Sequence, residues 1–231
     1  MKILLNIIVL IFFAYLSSFA QDARKDFNEI NKMYNNTDKL AFDIKYELFF
    51  DNSKTPYQVE TGKYIKEKAN YYTKQAQREL IVTDELYIMV DKETKIVALD
   101  KQPEQFKIVN PLSLNLDSLY LLYSKIEVLP SSNSNLKGYK FYIKEGPYSA
   151  CEVMFNSKTN FVTEIKNIFR ETLADENNKE HHSVLKTTFT QIAYSPEVNK
   201  VFDVNKYFSK VNRKYVLTPL YKSFKFINHL N

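Results

Sequence analysis

The sequence predicts an α+β protein: an antiparallel sheet that curls or closes, with two or three helices packed on its concave side. Short strands follow one another closely and are separated by polar turns, and helical spacing of apolar residues is confined to a few segments. The 17 tyrosines and 17 phenylalanines, with no tryptophan and only 3 glycines, suit a stiff, aromatic-rich sheet.

The clearest strand signal runs from Leu40 to Phe50. Every even position in this range is apolar, whereas the odd positions from Ala41 to Glu47 are small or charged. Such alternation with a period of two predicts a strand with one buried face and one face in water.

Ten further strands are predicted, with hairpin loops at Asp91–Thr94, Glu145–Pro147 and Asn156–Asn160. Within them, Gly62 predicts a bulge or a close backbone approach. These strands are Tyr57–Lys68, Asn70–Lys74, Glu79–Thr83, Glu85–Asp91, Lys95–Leu99, Ile126–Leu129, Tyr139–Lys144, Ser149–Phe155, Phe161–Glu171 and Val184–Tyr194.

Helical spacing of apolar residues occurs in three places. Asp26–Asn35 carries such a stripe, and Asn110 followed by Pro111 is a typical helix start. A short third helix is predicted over Asn205–Val211. The stripe of the second helix comprises Leu112, Leu116, Leu119, Tyr120 and Tyr123.

The N-terminus has the pattern of a cleaved export signal. Lys2 precedes an apolar run over Ile3–Leu16, and Ser18-Phe19-Ala20 provides small residues before a cut at Gln21. We therefore expect residues 1–20 to be removed and residues 21–231 to form a single domain. Because no cysteine follows the cut, we expect a periplasmic protein without a lipid anchor.

Charge limits the classes of partner that we expect, and cysteine content limits the role of disulfides. Lys and Arg total 32 against 27 Asp and Glu, a formal net charge of +5 that leans weakly toward anionic partners. Arginines are few and scattered, so nucleic-acid binding is not expected. Cys151 has no partner for an internal disulfide and alternates with Val153 and Phe155, which indicates a buried small side chain on a strand.

No catalytic, metal or cofactor motif is present in the sequence. His181 and His182 are neighbours, and adjacent residues on a strand point to opposite faces, so a solvated loop is favoured over a metal site. Glycine-rich phosphate loops and nucleophile elbows are absent. We therefore expect no enzyme, no metal and no cofactor, although a hydrolase whose site is dispersed along the chain stays open.

Residues 62–91 resemble the central region of periplasmic lipoprotein carriers of the Lol type (LolA/LolB-like). That family has a glycine-led strand with an Arg-Pro pair; here Gly62 leads the strand, and Lys68 and Ala69 occupy the positions of the pair. Leu80–Asp84 and Leu86–Asp91 match the next two strands, and the Ala41–Phe42 pair matches the start of the first.

This resemblance implies a strongly curved antiparallel sheet, an incomplete β-barrel, with two or three helices across its concave face. It also implies a ligand-binding hollow, with the helix after Pro111 as its lid and Lys68 as the partner of a lid carboxylate or of an anionic head group. The expected lining residues are Phe42, Ile44, Tyr46, Leu48, Tyr64, Lys68, Tyr72, Leu112, Leu116, Leu119 and Tyr120.

The function expected from this resemblance is a non-catalytic carrier that binds an acyl chain or a lipidated protein. Each CH₂ removed from water stabilises the complex by roughly 0.8 kcal/mol. The alternative is an envelope protein–protein interaction module with the same fold, in which the same side chains fill a solid core. Peripheral contact with a membrane is compatible with both.

Overall fold

The computed structural model describes residues 23–101, 122–198, 200–212 and 214–230. The predicted export signal lies outside these ranges, as do Leu112, Leu116, Leu119 and Tyr120 of the predicted lid. Tyr123, the last residue of the lid's apolar stripe, begins a strand rather than continuing a helix.

The described elements are mostly strands. One α-helix, α1, spans residues 23–36, and two single-turn 3-10 helices span Val204–Lys206 and Pro219–Tyr221. The strands are β1 Lys39–Phe50, β2 Gln58–Glu67, β3 Asn70–Gln75, β4 Arg78–Val82, β5 Leu86–Asp91, β6 Ile96–Lys101, β7 Tyr123–Val128, β8 Leu136–Ile143, β9 Tyr148–Asn156, β10 Phe161–Phe169, β11 Leu173–Ala174, β12 Glu180–His181, β13 Ser183–Ala193, β14 Phe208–Val211, β15 Lys214–Leu217 and β16 Lys225–Asn228.

Twelve strands form one sheet in the order β16-β6-β5-β4-β3-β2-β1-β13-β10-β9-β8-β7. The hairpins predicted across Asp91–Thr94, Glu145–Pro147 and Asn156–Asn160 are present as the β5–β6, β8–β9 and β9–β10 connections. β16 departs from the antiparallel prediction, since it pairs with β6 in parallel. A parallel pair needs a crossover rather than a tight turn, and here the chain returns to the sheet from a distant segment.

The prediction of two or three helices is matched by a single α-helix within the described ranges. The predicted helix over Asn205–Val211 is wrong, because a 3-10 turn ends at Lys206 and strand β14 follows from Phe208. Tyr, Phe and Val favour strands, and this segment packs as a hairpin against the sheet.

The chain divides into two compact units. Among the described residues, the first comprises residues 23–36, 46–59 and 122–188, and the second comprises residues 37–45, 60–101, 189–198, 200–212 and 214–230.

In the first unit, α1 packs its predicted apolar stripe against the sheet. Phe27, Ile30 and Tyr34 are almost fully buried. The Phe27 ring lies 5.3 Å from Phe141 in an edge-to-face contact, and the Tyr34 ring lies 5.6 Å from Phe161. Helical spacing therefore places these three side chains on one core.

In the second unit, the C-terminal segment, residues 200–230, covers one face of β3–β6. The register Tyr72↔Ile81↔Ile88↔Leu99 aligns these side chains in one row across the strands. Tyr207, Phe208 and Tyr221 pack on that face, and all three are buried. Gly62 faces Gln75 in a regular ladder without a bulge.

Candidate functional site

The candidate site is the face of the first unit's sheet on which α1 lies, here called the apolar face. Antiparallel pairing aligns Phe141, Cys151, Asn167 and Leu185 in one row across β8, β9, β10 and β13. The Phe27 ring of α1 contacts Phe141 at one end of this row.

β1 contributes Tyr46 and Leu48 to the apolar face. The ring of Phe42 on β1 meets that of Phe189 on β13 edge to face at 5.6 Å. Because side chains alternate along a strand, Tyr46 and Leu48 share the face of Phe42, and Leu185 shares that of Phe189.

Away from α1, the apolar face is only half buried. α1 covers the aromatic end of the face, whereas five other side chains retain intermediate exposure. These side chains, here called the open band, are Tyr46, Leu48, Cys151, Ile165 and Leu185.

The opposite face of the same strands carries a cross-strand ladder of charges. Lys140 faces Glu152 with Nζ 3.0 Å from Oε1, and Lys166 lies next along the ladder. Glu164 binds both Lys166 and Lys186 at 3.2 Å. The sheet is therefore polar on one face and apolar on the other, as expected for an antiparallel sheet with one face packed on a core and one face in water.

In the second unit, the predicted lining is largely filled. The rings of Phe42 and Tyr64 stack 4.8 Å apart, and both are almost fully buried. Burial also raises the pKa of Tyr64. Ile44, on the same face of β1, keeps intermediate exposure.

Two predicted lining residues lie elsewhere. Thr73, not Tyr72, pairs with Tyr64, so Tyr72 points to the opposite face, which the C-terminal segment covers. Lys68 is exposed in the β2–β3 turn with a positive φ of 54°, and its backbone N–H donates to Asp38 O at 2.6 Å.

The sequence-based lining omitted Ile165 and Leu185. Their strands were predicted, but the facing of each side chain depends on its register with neighbouring strands. The alternation Leu185, Thr187, Phe189 was the available signal, since it marks one face of β13.

The hydrophobic neighbourhood makes Cys151 an unreactive thiol. Desolvation by burial raises its pKa to about 12, and the thiolate is the nucleophilic form. Cys151 can thus contribute apolar surface to the open band but is a poor nucleophile at neutral pH.

His181 belongs to a carboxylate bridge rather than to the predicted solvated loop. Its side chain is buried, with Nδ1 2.5 Å from Asp51 Oδ2 and Nε2 3.2 Å from Asp175 Oδ2. The ring stacks on Phe50 at 4.5 Å. His182 is exposed, in keeping with the predicted opposite facing of the two histidines.

A surface groove of about 460 Å³ lies between the start of α1 and the β7–β8 connection. Asp26 anchors this region, because Tyr139 Oη donates to its Oδ2 at 2.7 Å and Lys137 Nζ lies 3.2 Å from the same oxygen. Val128 at its edge is 50% exposed.

No helix among the described residues is long and apolar enough to cross a membrane. Within the same ranges, no group of three or more His, Cys, Asp or Glu side chains is arranged to hold a metal ion.

No family model matches the sequence, and no curated protein matches it. Several solved structures do match. An uncharacterized conserved protein from Thermus thermophilus is 8% identical with a TM-score of 0.46, over 89% of this chain and 99% of that chain. A chain of the MucA/MucB complex from Pseudomonas aeruginosa is 12% identical with a TM-score of 0.42, over 77% of this chain and 60% of that chain.

A LolA superfamily protein from Nitrosomonas europaea is 8% identical with a TM-score of 0.34, over 79% of this chain and 98% of that chain. A LolA superfamily protein is thus among the solved structures that match this chain. At such identities and TM-scores, these similarities assign no function to the chain.

Proposed function

We propose that this protein is an exported, non-catalytic binding protein that holds an acyl chain or a lipidated protein on the apolar face of its first unit. The observation that carries the proposal is the open band, where Leu48, Ile165 and Leu185 keep partial exposure on the face that α1 covers only in part. Accessible apolar side chains with a few polar groups among them are typical of a binding site.

The geometry suits an extended aliphatic ligand. Neighbouring strands lie about 4.8 Å apart, so Cys151 on β9 and Leu185 on β13 offer apolar contacts on either side of the polar Asn167 on β10. Burial of each methylene is worth roughly 0.8 kcal/mol, and the methylenes themselves have no polar group that needs a partner. The charge ladder on the other face offers such a ligand little apolar surface.

The other predicted lining residues, apart from Tyr72, belong to the same proposal. Tyr46 and Leu48 would form part of the wall in the first unit. In the second unit, Phe42 and Tyr64 form a packed wall beside Ile44, and exposed Lys68 would meet an anionic head group. The proposed lid residues are Leu112, Leu116, Leu119 and Tyr120.

The direct test is lipid analysis of protein expressed from the full sequence and purified without detergent. We expect bound acyl lipids in the extract by mass spectrometry and saturable uptake of a fluorescent fatty acid. Protein that is free of lipid and takes up no probe would contradict the proposal.

A matched pair of variants locates the site. Leu185→Asn places a polar group on the apolar face, and Val184→Asn makes the same change on the charged face of the same strand. Losing about 1 kcal/mol of apolar contact predicts about fivefold weaker probe binding for Leu185→Asn. The Val184→Asn variant should bind as the unmodified protein does, and equal losses in the two variants would exclude this face.

The groove beside α1 supports a second function, docking of an envelope protein. Exposed Val128 lies on edge strand β7, where unpaired backbone groups can receive a partner strand. A photo-crosslinking residue at position 128, used in the native envelope, distinguishes the two functions: a stoichiometric partner whose capture survives Leu185→Asn favours docking over acyl binding.

A further inference from the structure

The end of the chain combines positive charge with a lack of acidic residues. From residue 204 to residue 231 the sequence contains no Asp or Glu. The same stretch has six cationic side chains: Lys206, Lys210, Arg213, Lys214, Lys222 and Lys225. This asymmetry is absent from the chain as a whole, where the formal net charge is only +5.

The same segment exposes aliphatic side chains on a fixed scaffold. β14 and β15 form a hairpin in which Ser209 faces Val216 and Val211 faces Lys214. These four residues share the outer face, because Phe208 on the inner face is buried in the core. Val211 is 52% exposed and Val216 is 44% exposed.

The 3-10 turn after the hairpin adds the most exposed large apolar side chain in the described part of the chain. Leu220 is 69% exposed, whereas its neighbour Tyr221 is buried. The turn is held in place by Thr218, whose Oγ1 donates to Lys206 O at 2.9 Å and whose N–H donates to Tyr207 O at 3.0 Å. Leu220 is thus presented outward by a well-anchored turn.

We infer that this C-terminal patch, formed by Val211, Lys214, Val216, Leu220 and Lys222, docks the protein on the surface of an anionic lipid bilayer. Aliphatic side chains enter the interface while lysine ammonium groups remain at the head groups. Among the described residues, no ion pair competes for Lys214 or Lys222.

An acidic protein partner is the less favoured occupant. Hot spots for protein partners are typically Trp, Tyr or Arg, whereas this patch presents Val, Leu and Lys. The patch belongs to the second unit alone, so the inference does not depend on acyl binding by the first unit.

The test uses vesicle sedimentation with the full chain after its own processing. Vesicles of phosphatidylcholine with about 30% phosphatidylglycerol should bind the protein in a salt-sensitive manner, and pure phosphatidylcholine vesicles should not. Because each lysine near an anionic surface contributes about fivefold, Lys214→Glu combined with Lys222→Glu should weaken partitioning by about 20-fold or more.

A charge-matched control separates the patch from net charge. Lys144→Glu combined with Lys158→Glu changes the net charge by the same amount at exposed positions of the first unit. This control should retain most of the binding. Equal loss in both double variants, or equal binding to the two vesicle types, would overturn the inference.

A fluorescence reporter tests insertion directly. The protein has no tryptophan, so Leu220→Trp gives a single emission that should shift to the blue on anionic vesicles, while Val128→Trp should not shift. If Leu220→Trp shows no shift and soluble polyglutamate competes for binding, the patch serves an acidic polypeptide and the membrane inference fails. Acyl-probe uptake, measured in parallel, reports separately on the first unit.

Discussion

At the scale of single residues, the bridge that His181 forms with two carboxylates is the most specific arrangement in the first unit. Its imidazole lies between Asp51, in the β1–β2 turn, and Asp175, in the β11–β12 turn. The hydrogen bond with Asp51 raises the pKa of His181, and Asp175 acts in the same direction, while burial and Lys179 oppose it. The same bridge lowers the pKa of Asp51.

This bridge predicts a pH-dependent stability. A raised histidine pKa stabilises the folded state below the unfolded value of about 6.5, and the contribution disappears as the pH rises through the folded pKa. The lowered pKa values of Asp51 and Asp175 also stabilise the folded state, and this contribution is lost as the pH falls below about 4. We expect the melting temperature to decrease as the pH rises above about 6.5.

The variant His181→Asn should remove most of this slope, and His182→Asn, at the exposed neighbour, should preserve it. Melting curves followed by circular dichroism across the pH range check both. A slope that persists in His181→Asn would assign the effect to other groups.

At the scale of elements, α1 shows how a short helix is held by packing. Its buried side chains recur at intervals of three and four, and its outer face is polar. Such a helix is marginal in isolation, so its stability derives from contact with the sheet. Phe27 contributes most, because its ring contacts those of Tyr139, Phe141 and Phe155.

Phe27→Ala should therefore destabilise the protein by about 3–5 kcal/mol, the usual cost of emptying a buried phenylalanine site. Asn28→Ala, one position along on the exposed face, should change stability by less than about 0.5 kcal/mol. Urea denaturation followed by circular dichroism measures both. A similar small effect in the two variants would mean that α1 is not part of the first unit's core.

At the scale of the whole molecule, the C-terminal segment is integral to the second unit. Tyr207 is fully buried, and its Oη donates to Glu79 Oε2 at 3.3 Å, across 128 positions of sequence. Burial alone would raise the pKa of Glu79, but Lys92 and Lys206 hold it below its ordinary value. A buried charge of this kind is tolerated because several partners surround it.

Tyr207→Phe should cost about 1.5–3 kcal/mol, since the hydrogen bonds of the hydroxyl with the Glu79 carboxylate and the Lys206 ammonium group are lost while the packing remains. The matched change Tyr215→Phe, on the same segment, should have a smaller effect because the contacts of that residue are mainly through its ring. Hydrogen exchange of β4 and β14 reports whether the two elements loosen together, and unchanged exchange in Tyr207→Phe would refute the link.

The local pattern of the sequence determines much of the secondary structure of this protein. Alternation along β1, the stripe of Phe27, Ile30 and Tyr34, and the polar hairpin loops are encoded within a few residues of one another, so the sequence alone predicts them. The lack of a catalytic motif and the acid-free C-terminal stretch are likewise properties of composition and order.

Tertiary structure decided the facing of strand side chains, which depends on register, and the partners of buried polar groups, which depend on long-range contacts. Whether Tyr72 shares a face with Tyr64 is determined by strand pairing, and a shift of one residue reverses the answer. Asp51, one partner of His181, lies 130 positions away in sequence, and Tyr207, one partner of Glu79, lies 128 positions away. Local propensity carries no information about such distances, so only the folded chain could bring these groups together and leave the open band half covered.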